Sequence, residues 1–431
     1  TIGHMAGAPP ATDFYLVLPF NGPAIVRPLD FGTTIRVADI FFISDTTGSM
    51  GGTLSNVQNT VSTPGTGLID RIGTVIPDAW FGGGQHDDMP FGGYGSPGIG
   101  SGLASHDQPF ILASRETNDA AAVRTAFAGM SLGGGSDGPE SQGFALWEIV
   151  TGHGGVFTYA GGGFGGGGTY TMPDYAGMCL DTGWGAPCFR DAALPIIVHF
   201  SDICSHISPP GEDPSCDEYT GIAGPGTDPL IHWTDMVAEM NRRGAKYVGC
   251  NASGGTTCAG PTMPAGYSPC YFMKRTAEET SSVDLDGNAL VYDLPNSSSA
   301  DVFADTIVNA IQTIATRVPL DVDTALRGSP NPLHVDTTRF IKRRTPKCND
   351  DHDTMCWVEP MGTPHANAVA AFDTSTFFGV IPGTRVTFNV TFRNDFFAGT
   401  DRSEIFIAYI DVRGGGSAVL DTRQVYIIVP A

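Results

Sequence analysis

The hydrophobic pattern of this chain changes period twice. Residues 12 to 44 alternate apolar runs with turn signals (FYLVLPF, NGP, AIVRPLDFG, IRVADIFFIS) and read as strands. The last of these is apolar on both faces, as a central strand of a parallel sheet must be. After Ser49 the period becomes helical across SNVQNTVSTPGTGLIDRIGTVI, and from there strands and helices alternate. Strands are expected at AWFGG near 79, PFILASR (109–115), PIIVHFSD (195–202), AKYVGC (245–250) and NALVYDL (288–294). Helices are expected over 119–130, 140–152, 229–243 and 299–317. Such alternation predicts a doubly wound α/β domain, a mostly parallel sheet with helices on both faces.

Beyond Pro319 the helical period is lost. TTRFIKRR, AVAAFDTS, TRVTFNVTFRND, SEIFIAYIDVR and RQVYIIVP are strand-like and separated by Gly, Pro and Asn, the pattern of an all-β, Ig-like sandwich. A chain of 431 residues also exceeds what one core supports. The strands before residue 36 have no crossover partner nearby and are assigned to the same sandwich. The expected organisation is therefore residues 6–35 plus 319–431 as the sandwich, with 36–318 as an α/β domain inserted into it. Residues 1–5 contain the Gly-His-Met sequence of an expression-tag scar, so the native start is expected to have been trimmed. The glycine-rich run YAGGGFGGGGTY (159–170) reads as a flexible connector.

Charge narrows the function. Asp and Glu number 45 against 23 Lys and Arg, a net charge of −22, which repels phosphate backbones and argues against nucleic acid as a partner. Clustered carboxylates instead attract hard divalent cations. No apolar run is long enough to span a bilayer.

Nine cysteines occur without a C-x-x-C pair. Most bracket short loops: Cys179 with Cys188, Cys204 with Cys216, Cys348 with Cys356, and a trio of Cys250, Cys258 and Cys270. Staples of this kind suit an oxidising, extracellular compartment, each loop contributing ~2–3 kcal/mol. Cys250, at the end of an apolar strand, is the expected free thiol, which leaves Cys258 and Cys270 to pair.

The candidate chemistry lies where apolar strands end. In ISDTTGSM (43–50), Asp45, Thr47 and Ser49 alternate, so an extended turn can aim three oxygens one way. The plain alternative is that Thr47 or Ser49 caps the following helix. Asp202 ends PIIVHFSD in the same manner, and GGGSDGPESQGF places Asp137 and Glu140 at another helix start. Carboxylates converging there would repel one another, and a divalent cation would remove the conflict.

Asp45-Thr46-Thr47-Gly48-Ser49 resembles the D-x-T-x-S form of the metal-ion-dependent adhesion site (MIDAS) of von Willebrand factor A domains. Asp137-Gly138-Pro139-Glu140 is similar to the D-x-P-E element of the integrin β-chain I-like domain. The resemblance spans about 36–318 and implies a Rossmann-like A domain of a bacterial, β-integrin-like surface adhesin, with gliding-motility adhesins the nearer kin. It implies Mg2+ or Mn2+ held by Asp45, Thr47, Ser49, Glu140 and Asp202. It also implies an adjacent Ca2+ site using Asp137, the Pro139 carbonyl, Glu140 and an upstream carboxylate, Asp88 or Asp87. Gly135 replaces an asparagine that the family uses there, and Gly52 and Thr53 replace the acidic pair of a third site.

The expected function is non-enzymatic: adhesion through a metal that accepts an Asp or Glu carboxylate of a protein partner at the cell surface, with outer-membrane anchoring through the removed segment. A structural scaffold with a loop-stabilising metal is the alternative. A metal-dependent hydrolase is a further one, because GMSLG (129–133) fits G-x-S-x-G formally, although it follows a helix. His199 is expected to pack within its strand, and His206 to be a surface residue.

Overall fold

In the computed structural model, residues 14–96, 107–161, 167–180, 182–216, 218–224, 231–258, 266–347 and 369–431 are described. The chain forms two compact units, one made of Thr1–Ile35 and Pro319–Ala431, the other of Arg36–Val318.

The continuous unit is a mixed α/β structure on a six-stranded sheet. In spatial order its strands are Val291–Asp293, Lys246–Asn251, Leu194–Ser201, Val37–Asp45, Asp78–His86 and Ile111–Thr117. All neighbours are parallel except the last pair. Val37–Asp45 is flanked on both sides, and from Ala38 onward every residue of it is buried, which is why its sequence is largely apolar, with Asp39 and Ser44 the buried polar residues before Asp45.

Among the described residues, seven helices accompany the sheet: α1 (Gly51–Ser62), α2 (Leu68–Val75), α3 (Ala120–Ala128), α4 (Gln142–Thr151), α5 (Trp233–Arg243), α6 (Cys270–Glu279) and α7 (Ala300–Arg317). The helical pattern read as one stretch over 55–76 is two helices, because Pro64 and Gly65 (φ +80°) break the ladder. Helix α6 was not expected.

The ends of the glycine-rich run are ordered as a hairpin, Gly155–Tyr159 with Gly168–Met172, joined by Ile222–Ala223 into a small sheet. Phe157 of that hairpin meets Phe144 of α4 edge-on at 5.3 Å, extending the main core outward. Most of α4 is buried, so a polar residue at its start is held inside the protein.

In the discontinuous unit a six-stranded sheet runs Phe14–Val17, Ala418–Val429, Glu404–Gly414, Leu320–Gly328, Phe377–Val380 and Ala371–Phe372. A three-stranded sheet holds Ile341–Pro346, Arg385–Phe392 and Ile25–Gly32. Phe14 meets Phe392 at 5.9 Å and Phe377 meets Phe388 at 5.1 Å, so the two sheets share a core.

Disulfides join Cys179 to Cys188, Cys204 to Cys216 and Cys258 to Cys270, while Cys250 is free and buried. Cys348 and Cys356 lie outside the described residues.

Candidate metal centre

The carboxyl ends of the parallel strands gather the acids. Asp45 closes the central strand and is fully buried. Its Oδ1 accepts from the Thr47 backbone N–H (2.9 Å) and hydroxyl (2.7 Å), and its Oδ2 accepts from the Ser201 hydroxyl (2.9 Å). Neither Thr47 nor Ser49 caps a helix through its side chain; Ser49 lies in the short turn Gly48–Met50 before α1. Its exposed hydroxyl instead donates to Asp202 Oδ1 at 3.1 Å.

Glu140 enters from the segment preceding α4. Its backbone pairs with the loop after the Leu194–Ser201 strand, Glu140 N–H to the Cys204 carbonyl (3.0 Å) and His206 N–H to the Glu140 carbonyl (2.9 Å). The Cys204–Cys216 disulfide closes that loop. Gln142, buried at the start of α4, donates to Ser201 Oγ and the Ile203 carbonyl, both at 2.9 Å.

Gly135 (φ +77°) brings the chain close to this group: a Cβ there would stand 2.9 Å from Glu140 Oε1 and 3.4 Å from Thr47 Cγ2. The absent side chain thus leaves room for the Glu140 carboxylate beside Thr47.

These acids are uncomfortable together. Burial pushes Asp45 up to about 6, against its three hydrogen bonds. Burial and the charge of Asp45 push Asp202 up to about 6. Glu140 is raised well above the ordinary range by burial and by Asp88, Asp45, Asp87 and Asp137.

A second cluster adjoins the first. Asp87 and Asp88 are fully buried just after the Asp78–His86 strand. Thr46 donates to Asp87 Oδ1 at 2.7 Å, yet burial, with Asp107 and Asp45 adding repulsion, holds Asp87 well above its usual value. Asp88 Oδ1 accepts from the Met89 N–H (2.6 Å) and from the Tyr219 hydroxyl, while burial raises its pKa to about 6. Pro139 is buried between Asp137 and Glu140, and the Asp137 side chain remains 30% exposed.

His206 is fully buried, which corrects its reading as a surface residue. Its Nε2 stands 3.5 Å from Asp88 Oδ2 and 3.4 Å from Asp137 Oδ2. Burial disfavours the charged ring, but these two carboxylates outweigh it and lift His206 to about 10. His199 packs inside its strand beside Tyr247 (2.7 Å) and His86 (3.3 Å), and burial lowers its pKa.

Asp107 was not singled out from sequence. Its carboxylate accepts from the backbone N–H groups of Ser96 (2.6 Å), Gly134 (2.6 Å) and Gly135 (2.8 Å), pinning the glycine loop that approaches Glu140. An isolated Asp-Gln in a polar stretch carries no signal of such a role.

Among the described residues, Asp87 Oδ2, Asp88 Oδ2 and Glu140 Oε2 are buried without a hydrogen-bond partner. Buried acceptors of this kind are costly unless something satisfies them, and an oxygen-rich set with hydroxyls alongside fits a hard divalent cation.

No family model matches this chain, and no curated protein matches it. Among solved structures it is similar to a von Willebrand factor type A protein from Catenulispora acidiphila, at 10% identity and TM-score 0.34, covering 96% of this chain and 71% of that one. The pilus adhesin SpaC from Lactobacillus rhamnosus GG, in its open conformation, matches at 11% identity and TM-score 0.34, covering 95% of this chain and 45% of the adhesin. Proximal thread matrix protein 1 of the mussel byssus matches at 12% identity and TM-score 0.34, covering 68% and 50%. This chain spans less than half of the pilus adhesin. At these scores the likenesses add no weight to the reading of the site.

Proposed function

We propose that the Arg36–Val318 unit is a von Willebrand factor A-type, integrin I-like domain inserted into an Ig-like sandwich, and that it binds protein partners at the cell surface through a divalent cation. Asp45, Thr47, Ser49, Glu140 and Asp202 would hold Mg2+ or Mn2+. The bound ion would supply an electrophilic position that a partner's Asp or Glu carboxylate can occupy.

The chain's own residues divide the work. Asp45 fixes the turn by accepting from Thr47 and Ser201. Exposed Ser49 and partly buried Asp202, 3.1 Å apart, form the face at which a partner could arrive. Asp107 holds the glycine loop so that Glu140 can lie beside Thr47. The observation that carries the reading is the convergence of Asp45, Asp202 and Glu140, all raised by burial and the latter two also by the charge of Asp45, around that solvent-facing pair. A bound divalent cation would relieve all three at once.

The hydrolase alternative has weak support. Ser131 follows α3 and leads into a loop, whereas a nucleophile elbow joins a strand to a helix. The oxidising location is favoured by three short-range disulfides.

The test is a Mn2+ titration by calorimetry on the wild type, Asp45→Ala and Asp202→Ala. Binding in the wild type that both variants lose is the expected result. Undiminished binding in the variants, or none in the wild type, would overturn the reading and leave the oxygens as hydrogen-bonding groups of the turn.

A further inference from the structure

We infer that Asn296 is the positioning residue for Ser49, its amide spliced into the first turn of α1 so that the Ser49 hydroxyl stays on Asp202. The inference rests on the proposed cation site and adds to it a residue that acts through Ser49. Asn296 lies in the segment between the Val291–Asp293 strand and α7. The backbone of that segment is tied down, Leu294 N–H donating to the Asn251 carbonyl (2.7 Å) and Asn296 N–H to the Ala252 carbonyl (3.0 Å).

The side-chain amide works in two directions. Its Nδ2 donates to the Ser49 carbonyl at 2.7 Å, and its Oδ1 accepts from the Thr53 backbone N–H (2.8 Å) and hydroxyl (2.7 Å). The Ser49 carbonyl and the Thr53 N–H stand in the i, i+4 relation that an α-helix joins directly. Here the amide stands between them and supplies its own donor and acceptor, an insertion of the kind that opens a helical ladder. Helix α1 accordingly begins at Gly51, and Ser49 stays in the short turn Gly48–Met50. Outside the helix, Ser49 keeps its exposed hydroxyl on Asp202 Oδ1 at 3.1 Å.

Finishing a helix needs only half of this. A residue that merely capped α1 would accept from its first N–H groups and leave the Ser49 carbonyl to Thr53. Donating to Ser49 as well holds the residue proposed to bind the ion, as the supporting partners of metal ligands do. Aspartate at this position would accept from Thr53 but repel the Ser49 carbonyl, so the double grip requires an amide. The two segments are laid close together: a Cβ at Gly52 would stand 2.3 Å from the Asn296 carbonyl oxygen. Asn56 Nδ2 makes a second tie between them, donating to the Ser298 carbonyl at 2.8 Å.

The experiment is a double-mutant cycle read by Mn2+ calorimetry on the full chain: wild type, Ser49→Ala, Asn296→Ala and the double variant. Asn296→Ala is expected to weaken Mn2+ binding at least about tenfold in the wild-type background. In the Ser49→Ala background it should cost less than about twofold, because the residue it acts through is already gone. Relaxation of solvent protons by the bound Mn2+ should rise in Asn296→Ala to the level of Ser49→Ala, as a water takes the place of the serine hydroxyl. A residue that only stabilised α1 would lower the urea midpoint under chelator and leave both readings of the folded protein unchanged. That result, or equal weakening in the two backgrounds, overturns this inference alone. A wild type that binds no Mn2+, or Ser49→Ala binding as tightly as the wild type, overturns the proposed site and this inference with it. Should Asn296→Ala fail to fold by circular dichroism, Asn296→Ser, too short to bridge the turn, takes its place in the cycle.

Discussion

Replacing Asp45 by asparagine is expected to strengthen the metal-free fold while removing the metal. Asp45 is wholly buried, and burial raises its pKa from 3.8 to about 6 in spite of three hydrogen bonds. The folded state therefore holds the proton more tightly than the unfolded chain does. The stability this group contributes is fully present below pH 3.8 and is lost as pH rises through about 6. At about 1.36 kcal/mol per pH unit, the interval corresponds to roughly 3 kcal/mol withheld from folding at neutral pH. Asparagine has the same shape, keeps an acceptor for Thr47 and carries no charge. Ser201, then facing an amide donor, can turn its hydroxyl to the Ile203 carbonyl at 3.2 Å. Neutralising the residue also relieves Asp202, Asp87 and Glu140, each of which its charge pushes upward. With chelator near neutral pH, Asp45→Asn should gain ~1–3 kcal/mol over the wild type, and the gain should vanish below pH 3.8. Urea unfolding followed by tryptophan fluorescence reads this well, because Trp80, Trp147, Trp184 and Trp233 all belong to the α/β unit. Adding Mg2+ should then stabilise the wild type and leave the variant unmoved. A variant less stable than the wild type under chelator, or a gain unchanged in acid, would refute the reasoning.

Arg190→Ala should cost ~3–5 kcal/mol by denaturant unfolding, because it strips the buried Asp39 of its guanidinium partner at 2.7 Å. Gly135→Ala should cost ~1–3 kcal/mol and weaken Mn2+ binding in calorimetry, since alanine at φ +77° is strained and its Cβ would crowd Glu140 Oε1. Gly135→Asn should recover part of the backbone cost, as asparagine tolerates that conformation. Cys250 should resist a thiol-specific reagent in the native protein and react after unfolding, as read by peptide mapping, because burial raises its pKa far above the usual thiol range.

The parts of the fold that could be read from sequence are those where one physical effect dominates. Val37–Asp45 and Leu194–Ser201 are buried on both faces, so their runs are mainly apolar, with Asp39, Ser44 and His199 the polar residues inside them. Helix α6 was hidden because Cys270 at its start and Lys274, Arg275, Glu278 and Glu279 within it blur any apolar stripe, although Phe272 and Met273 are buried. The hairpin at 155–172 was hidden because glycines outnumber the inward Phe157, Tyr170 and Met172 that define it. Asp45 and Asp202 stood out because a carboxylate ending an apolar strand is conspicuous. Asp107 and His206 did not, because their importance comes from burial, and a polar residue in a loop gives no sign of how deeply the loop is folded in. The Asp137-x-x-Glu140 spacing located one wall of the second cluster, but the opposite wall is supplied across space by His206.

The central strand also shows that burying an acid can be resolved in two different ways. Near its start, Asp39 is wholly buried and raised by burial, yet Arg190 donates to it from the backbone at 2.6 Å and from Nε at 2.8 Å, and also bridges to Asp78. The cation there is covalently part of the chain, so the charge is answered whatever the solution contains. Near its end, Asp45 is met by the Thr47 and Ser201 hydroxyls and the Thr47 amide, and Asp202 by the Ser49 hydroxyl, none of them a cation. A chain able to place an arginine at one end of a strand could have placed one at the other, and stability alone would favour doing so. Leaving the carboxyl end without one suits the proposed function, in which an ion from solution would complete the charge balance. On that proposal, the loss of stability worked out for Asp45 and the binding of a metal at this face are consequences of the same arrangement.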